Sequence, residues 1–315
     1  MQKILVTGAA GFLGSHLVDF LLKKHHTVIG IDSLLTGNLI NLNSAISNPN
    51  FVFHIADVRN PLEINADVIF NLACPASPKH YQKNPFDTFT TSVLGVQRLI
   101  EYARNHKCTI IQASTSEIYG DPAVHPQTES YCGNVNPIGP RACYDEGKRG
   151  AETLLSDAKR VLGLDTRIIR IFNTYGPRMD FNDGRVVSNF VEQALLNKPI
   201  TIYGSGKQTR SFCYVDDLID GFYKIMQLNY LDGPINLGNP NETTIQNLAE
   251  LIVKLSNSNS TINYESLPED DPCKRKPDIS KAIKLIKFNP QISLESGAIK
   301  TIQNFNLRLQ EMGQI

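Results

Sequence analysis

Gly8-Ala-Ala-Gly11-Phe-Leu-Gly14 is the stretch that decides the fold. Before it runs Lys3–Thr7, a short β-rich segment. After it, Leu13, Leu17, Phe20 and Leu21 recur on one helical face across 12–24. Strand, glycine turn and helix in that order make a dinucleotide-binding opening. The glycines permit a tight turn and close approach of backbone to a pyrophosphate. The helix N-terminus adds unpaired N–H groups and a positive dipole end. The next strand, 27–31, ends at Asp32, where such folds bind a ribose diol. That carboxylate repels a 2′-phosphate, so NAD is expected rather than NADP.

Outward from this opening, strands at 51–55, 67–73, 108–114 and 167–172 alternate with long helices at 85–106 and 140–161. The alternation predicts an α/β, Rossmann-like, doubly wound parallel sheet covered on both faces. Beyond about Thr174, helical stretches at 186–196, 215–228, 245–255 and 294–310 alternate with short strands. We expect residues 1–173 to form mainly the NAD-binding domain. Residues 174–315 should form mainly a smaller mixed α/β substrate lobe, interleaved with the sheet domain. A run of Ser and Asn at 256–260 reads as a surface loop.

Composition sets limits. Lys plus Arg and Asp plus Glu both number 31, so nothing favours a nucleic-acid partner. No apolar run approaches membrane-spanning length. The sequence enters its first strand at once, so no leader peptide is expected and the location should be cytoplasmic. Six cysteines, at 74, 108, 132, 143, 213 and 273, form no CxxC pair and read as reduced thiols. No metal is expected.

Tyr144 and Lys148 stand four apart on the second long helix and share a face. A nearby ammonium favours phenolate and should depress the tyrosine pKa. The pair suits removal of a proton from a sugar hydroxyl while hydride goes to NAD. Ser114-Thr115-Ser116-Glu117 leaves a central strand at its carboxyl end, where ligands bind. Thr115 can bond the oxygen being oxidised, and Glu117 adds a carboxylate. Asn173 and Thr174 face the same crevice by topology. Cys74-Pro75-Ala76-Ser77-Pro78 reads as a rigid loop over nicotinamide or sugar. Asp57 and Val58 follow the third strand and suit an adenine contact, unless Asp57 simply faces solvent. Arg178, Arg185, Arg210, Lys274 and Arg275 suit an anionic substrate.

Several motifs carry a resemblance. They include Ser77-Pro-Lys-His-Tyr81, Asn136-Pro-Ile-Gly-Pro-Arg-Ala-Cys-Tyr-Asp-Glu-Gly-Lys148, Asn182-Asp-Gly-Arg-Val-Val-Ser-Asn-Phe190 and Lys274-Arg-Lys-Pro-Asp278. The chain resembles the extended short-chain dehydrogenase/reductases over nearly its whole length. Among them it is most similar to the UDP-glucuronate decarboxylase (UDP-xylose synthase) family. The resemblance implies oxidation at C4 of UDP-glucuronate, loss of CO₂ from the β-keto acid, and re-reduction at C4 with recycled NAD. It implies catalytic roles for Thr115, Ser116, Glu117, Tyr144, Lys148 and Arg275. Cofactor contacts fall on Gly8, Gly11, Phe12, Leu13, Gly14, Asp32, Ser33, Asp57, Val58, Leu72, Tyr144, Lys148 and Thr174. Substrate contacts fall on Tyr81, Asn173, Arg185, Tyr203, Arg210 and Arg275, with Arg178 on either the sugar or the cofactor side. A homodimer packed through the two long helices is also implied. Ser116 stands where 4,6-dehydratases carry an acid, which argues against dehydration. A UDP-sugar 4-epimerase, or a nucleotide-sugar-binding regulator without turnover, remains as the other reading.

Overall fold

Parallel strands covered on both faces need near-continuous apolar sequence. Ile4, Leu5, Val6, Ile69 and Phe70 supply it and are wholly buried. The computed structural model of the chain describes residues 1–61, 63–267 and 274–315. Its main sheet contains β1 (Lys3–Thr7), β2 (Thr27–Asp32), β3 (Phe51–Ile55), β4 (Val68–Asn71), β5 (Thr109–Thr115) and β6 (Thr166–Ile171). A further strand, Ile235–Leu237, completes it. The order is Ile235–Leu237, β6, β5, β4, β1, β2, β3, with every pairing parallel. The chain changes its direction of travel between β3 and β4. A crevice therefore opens beside the carboxyl ends of β1 and β4.

The helices named below are α1 (Phe12–Lys23), α2 (Asn43–Ile46), α3 (Pro78–Lys83), α4 (Pro85–His106) and α5 (Ala142–Leu162). Alternate strand residues feed two separate cores. Val6, Phe70 and Ile111 pack with Leu17 and Leu21 of α1 and with Phe222. Leu5, Ile69, Ile110 and Ile168 pack with Val96 and Leu99 of α4 and Leu155 of α5. The doubly covered sheet is thus the predicted one. Helix α5 lies close on α4, where a Cβ at Gly147 would come 3.2 Å from that of Ser92.

Sequence periodicity missed several short pieces, α2 among them. Helices at Pro78–Lys83 and Ser280–Ile286 span too few turns to display a face. Ile235–Leu237 is three residues long, too short to show alternation. It joins the main sheet through its neighbour β6, although it lies far along the chain. The remaining strands build small mixed sheets beyond the crevice. Thr209–Ser211 pairs antiparallel with Glu242–Thr244 and parallel with Lys274–Arg275, which sets Arg210 opposite Arg275. Cys273 lies outside the described residues; the other five cysteines are free thiols.

A buried polar ladder aligns the strand ends under the crevice. Thr7 Oγ1 donates to Asn71 Oδ1 (2.6 Å), Asn71 Nδ2 to Gln112 Oε1 (2.7 Å), and Gln112 Nε2 to the Ala113 carbonyl (3.1 Å). All three side chains are almost fully buried. Replacing Asn71 by Leu leaves two buried groups unpaired, at about 1–3 kcal/mol for each. Urea unfolding of Asn71→Leu should show that loss; an unchanged midpoint would mean that the ladder does not hold the strand ends.

Candidate active site

A cavity of about 960 Å³ runs along the carboxyl ends of the central strands and into the smaller lobe. Its first wall is the glycine turn. Gly8 has φ +67°, and a Cβ there would stand 2.8 Å from the Leu72 carbonyl oxygen. At Gly14 a Cβ would fall 2.0 Å from the Gly8 carbonyl oxygen. No side chain caps α1 at Gly11, so its first-turn amides are left to a ligand. Phe12, Leu13, Leu72 and Thr174 line the same wall.

Asp32 ends β2 beside this turn, where its carboxylate accepts from the amides of Ala10 (3.0 Å) and Leu34 (2.8 Å). Burial raises its pKa, and those amides pull it back. The segment that actually lines the cavity here is Leu35, Thr36, Gly37 and Asn38. Asn38 N and Asn41 Nδ2 both donate to the Ala10 carbonyl, which holds that segment over the turn. Neither Asp32 nor exposed Ser33 is itself part of the lining.

Asp57 and Val58 lie outside the cavity lining. Asp57 turns to the Arg59 guanidinium (2.6 Å), which also binds Asp87 of α4 (2.7 Å). The Val58 side chain is buried against Gly95 of α4. Neither residue lines the cavity, because a cation two residues on and a glycine gap in α4 claim their side chains.

Thr115, Glu117, Tyr144 and Lys148 line this one cavity together. Tyr144 is buried and hydrogen-bonded to Thr115, whose hydroxyl also accepts from the Glu117 amide (3.2 Å). Tyr81 stacks on Tyr144 with ring centroids 5.0 Å apart and planes 8° from parallel. The buried Tyr81 hydroxyl has no partner. Lys148 Nζ donates to the Ala113 carbonyl (2.9 Å) and lies 5.7 Å from the centre of the Tyr144 ring. The polar ladder thereby extends to this lysine. The expected depression of the Tyr144 pKa is not found. Burial pushes it well above its ordinary value, and the charges of Glu117 and Asp145 add to the rise. The lysine is held by a carbonyl rather than by the phenol.

Ser116 and Glu117 follow Thr115 in a short 3₁₀ turn, with Ser116 buried. Glu117 is clasped by two arginines, Arg275 from the smaller lobe and Arg141 from the start of α5 (2.7 Å). Burial alone raises the Glu117 pKa. The charges of Arg275 and Arg141 outweigh it and hold the carboxyl down at about 2. Arg275 is itself buried, and its Nε and Nη2 have no partner.

Sequence reading assigned no role to Arg141 or to Asp145. The available signal was position. Arg141 precedes Tyr144 by three residues, one helical turn, and Asp145 adjoins it. The remaining residues line the lobe side. Asn173 and Tyr203 are among them. Arg185 pairs with Asp183 (2.6 Å), and Arg210 donates to the Thr209 carbonyl (2.9 Å). Arg178 binds Asp19 of α1 (2.6 Å).

Residues 4–238 match the family model described as the NAD dependent epimerase/dehydratase family. UDP-glucuronic acid decarboxylase 2 of Arabidopsis thaliana is 50% identical over 307 residues, 98% of this chain and 69% of that protein. The chain belongs to the NAD dependent epimerase/dehydratase family, and within it to the UDP-glucuronic acid decarboxylases. UDP-glucuronic acid decarboxylase 1 of Xenopus tropicalis is 48% identical across 98% of this chain and 73% of its own length. The solved UDP-glucuronic acid 4-epimerase of Bacillus cereus, in complex with UDP-glucuronic acid and NAD, superposes with a TM-score of 0.87. It shares 30% identity, over 97% of this chain and 99% of its own. In this decarboxylase family member the glycine turn, uncapped helix and strand-end carboxylate fit a dinucleotide.

The charge on Glu117 has a readout in pH. Its folded pKa is depressed, so its contribution to stability is complete above the ordinary value of 4.5 and fades as pH falls toward about 2. Arg141→Ala should move the Glu117 titration upward, read by carboxyl ¹³C NMR, and should narrow that acid window. A carboxyl still titrating near 2 in the variant would contradict the role given to Arg141.

Proposed function

We propose that the protein converts UDP-glucuronate to UDP-xylose and CO₂, with NAD reduced and reoxidised within each turnover. The observation that carries this is Arg275. A buried guanidinium with two unpartnered nitrogens, paired with Glu117 and lining the same cavity as Tyr144 and Thr115, suits a sugar carboxylate.

When bound, NAD supplies a hydride acceptor and a positive charge beside the phenol, which favours phenolate. Tyr144 takes the proton of the C4 hydroxyl, oriented by Thr115. Lys148, anchored on the Ala113 carbonyl, keeps its ammonium next to that proton transfer. The resulting C4 ketone stands β to the carboxylate on C5. The C–C bond electrons pass into the carbonyl as an enolate and CO₂ leaves. Arg275 holds the carboxylate in place until then. C5 takes up a proton, hydride returns to C4, and Tyr144 gives its proton back to the C4 oxygen.

We also propose a homodimer through the outer faces of α4 and α5, supported by exposed Phe86, Phe89 and Leu94 on α4. A cytoplasmic location is proposed on the free thiols of the described cysteines. Sedimentation and cell fractionation read these two points.

Incubation with UDP-glucuronate and NAD⁺ should give UDP-xylose and CO₂ without net NADH. Tyr144→Phe should lower the rate by about 10²–10⁴-fold with NAD binding retained. A product with all its carbons and an inverted C4 would establish the epimerase instead, and parental turnover by Tyr144→Phe would remove that residue from the proton transfer.

A further inference from the structure

Decarboxylation consumes a proton. A carboxylate leaves as neutral CO₂, and C5 gains a C–H bond. Tyr144 is not the net source, because the proton it takes from the C4 oxygen goes back there. Glu117 is held ionised by Arg141 and Arg275. The C5 proton therefore needs its own route from solvent.

A second cavity, of about 200 Å³, meets the same wall. Glu117, Arg141 and Arg275 line both cavities and form the partition between them. The outer end of the smaller one is formed by the exposed residues Asp121 and Asn134. At the inner end stands Asp145, buried, with its Oδ1 lacking any partner. At about 30 Å³ per molecule the space holds several waters, and its polar lining keeps them there.

We propose that this shaft is the proton inlet of the decarboxylation, with the Asp145 carboxyl relaying solvent protons through the Glu117–Arg141–Arg275 wall to C5. The proposal rests on the decarboxylase reading. The proton leaves Asp145 and travels by way of water at the partition. The enolate π pair forms the C5–H bond, and the C4–O bond becomes a carbonyl again. Asp145 regains a proton from shaft water, so solvent is the net donor and no electrons are exchanged with another group.

The groups around Asp145 suit a relay. Arg141 and Glu146 face it from α5, Glu117 from the turn after β5, Arg275 from the lobe, and Tyr81 from α3. Burial and the Glu117 charge raise its pKa to about 7, against the pull of Arg141 and Arg275. Asp145 therefore carries a proton below about pH 7 and loses it above.

Two variants test this, with kcat measured against pH and in D₂O, and NAD⁺ and UDP-glucuronate binding measured by calorimetry. Asp145→Asn removes the relay. Val135→Phe fills the shaft and leaves Asp145 in place. Both should bind both ligands as the parent does yet turn over about tenfold or more slowly. Asp145→Asn should also lose the parent's decline of kcat above pH 7. Val135→Phe should show a larger solvent isotope effect. Parental kcat and pH profile in Asp145→Asn would overturn the inlet. If that variant no longer binds NAD⁺, Val135→Phe decides alone, and a parental kcat there overturns it. A parent enzyme that releases no CO₂ refutes the decarboxylase reading itself, which is a separate result.

Discussion

Glu117 between Arg141 and Arg275 is the contact on which the site depends. It joins three segments distant in sequence: the turn after β5, the residue that precedes α5, and the Lys274–Arg275 strand of the smaller lobe. Charges taken out of water are tolerated only when paired, and removing one partner of such a cluster costs about 3–5 kcal/mol. The cluster closes the lobe against the sheet and fixes the ionisation of its carboxylate. It also leaves one guanidinium with nitrogens to offer a ligand.

The rest of the site is built so that this wall meets the reacting carbon. The ladder from Thr7 through Asn71 and Gln112 ends at the Ala113 carbonyl, where it meets Lys148. The glycine turn and the lysine of α5 are thereby tied to the same three strand ends. A second buried network does similar work one strand further on. Arg170 of β6 binds Glu152 of α5 (2.8 Å) and the Tyr119 hydroxyl (3.0 Å), and that hydroxyl donates to Asn236 Oδ1 (2.8 Å). Binding geometry at a strand end depends on such supports, because a displacement of about 1 Å at the reacting atoms costs of order a hundredfold in rate.

Much of this was legible in the sequence, for local reasons. A strand, a glycine turn and a helix declare themselves within a dozen residues, and Tyr144 and Lys148 share a face by helical geometry alone. What escaped was long-range. Nothing near Arg141 announces a carboxylate in the turn after β5. Only the folded sheet brings Glu117 to it, and only the strand pairing of Arg210 with Arg275 brings the lobe's guanidinium there. Asp57 is engaged locally instead, by Arg59 two residues on. The Tyr144 pKa was misjudged because pattern reading counts charges in sequence but not the water removed by packing. Burial is the largest cause of the rise.

Placement of the sugar carboxylate tests the whole account most directly. A crystal structure of Tyr144→Phe with NAD⁺ and UDP-glucuronate reads it as a distance. We expect the carboxylate on the Arg275 guanidinium within hydrogen-bond range, with the C4 oxygen at Thr115. A carboxylate held instead by Arg185 or Arg210, with C4 away from Thr115, would contradict it.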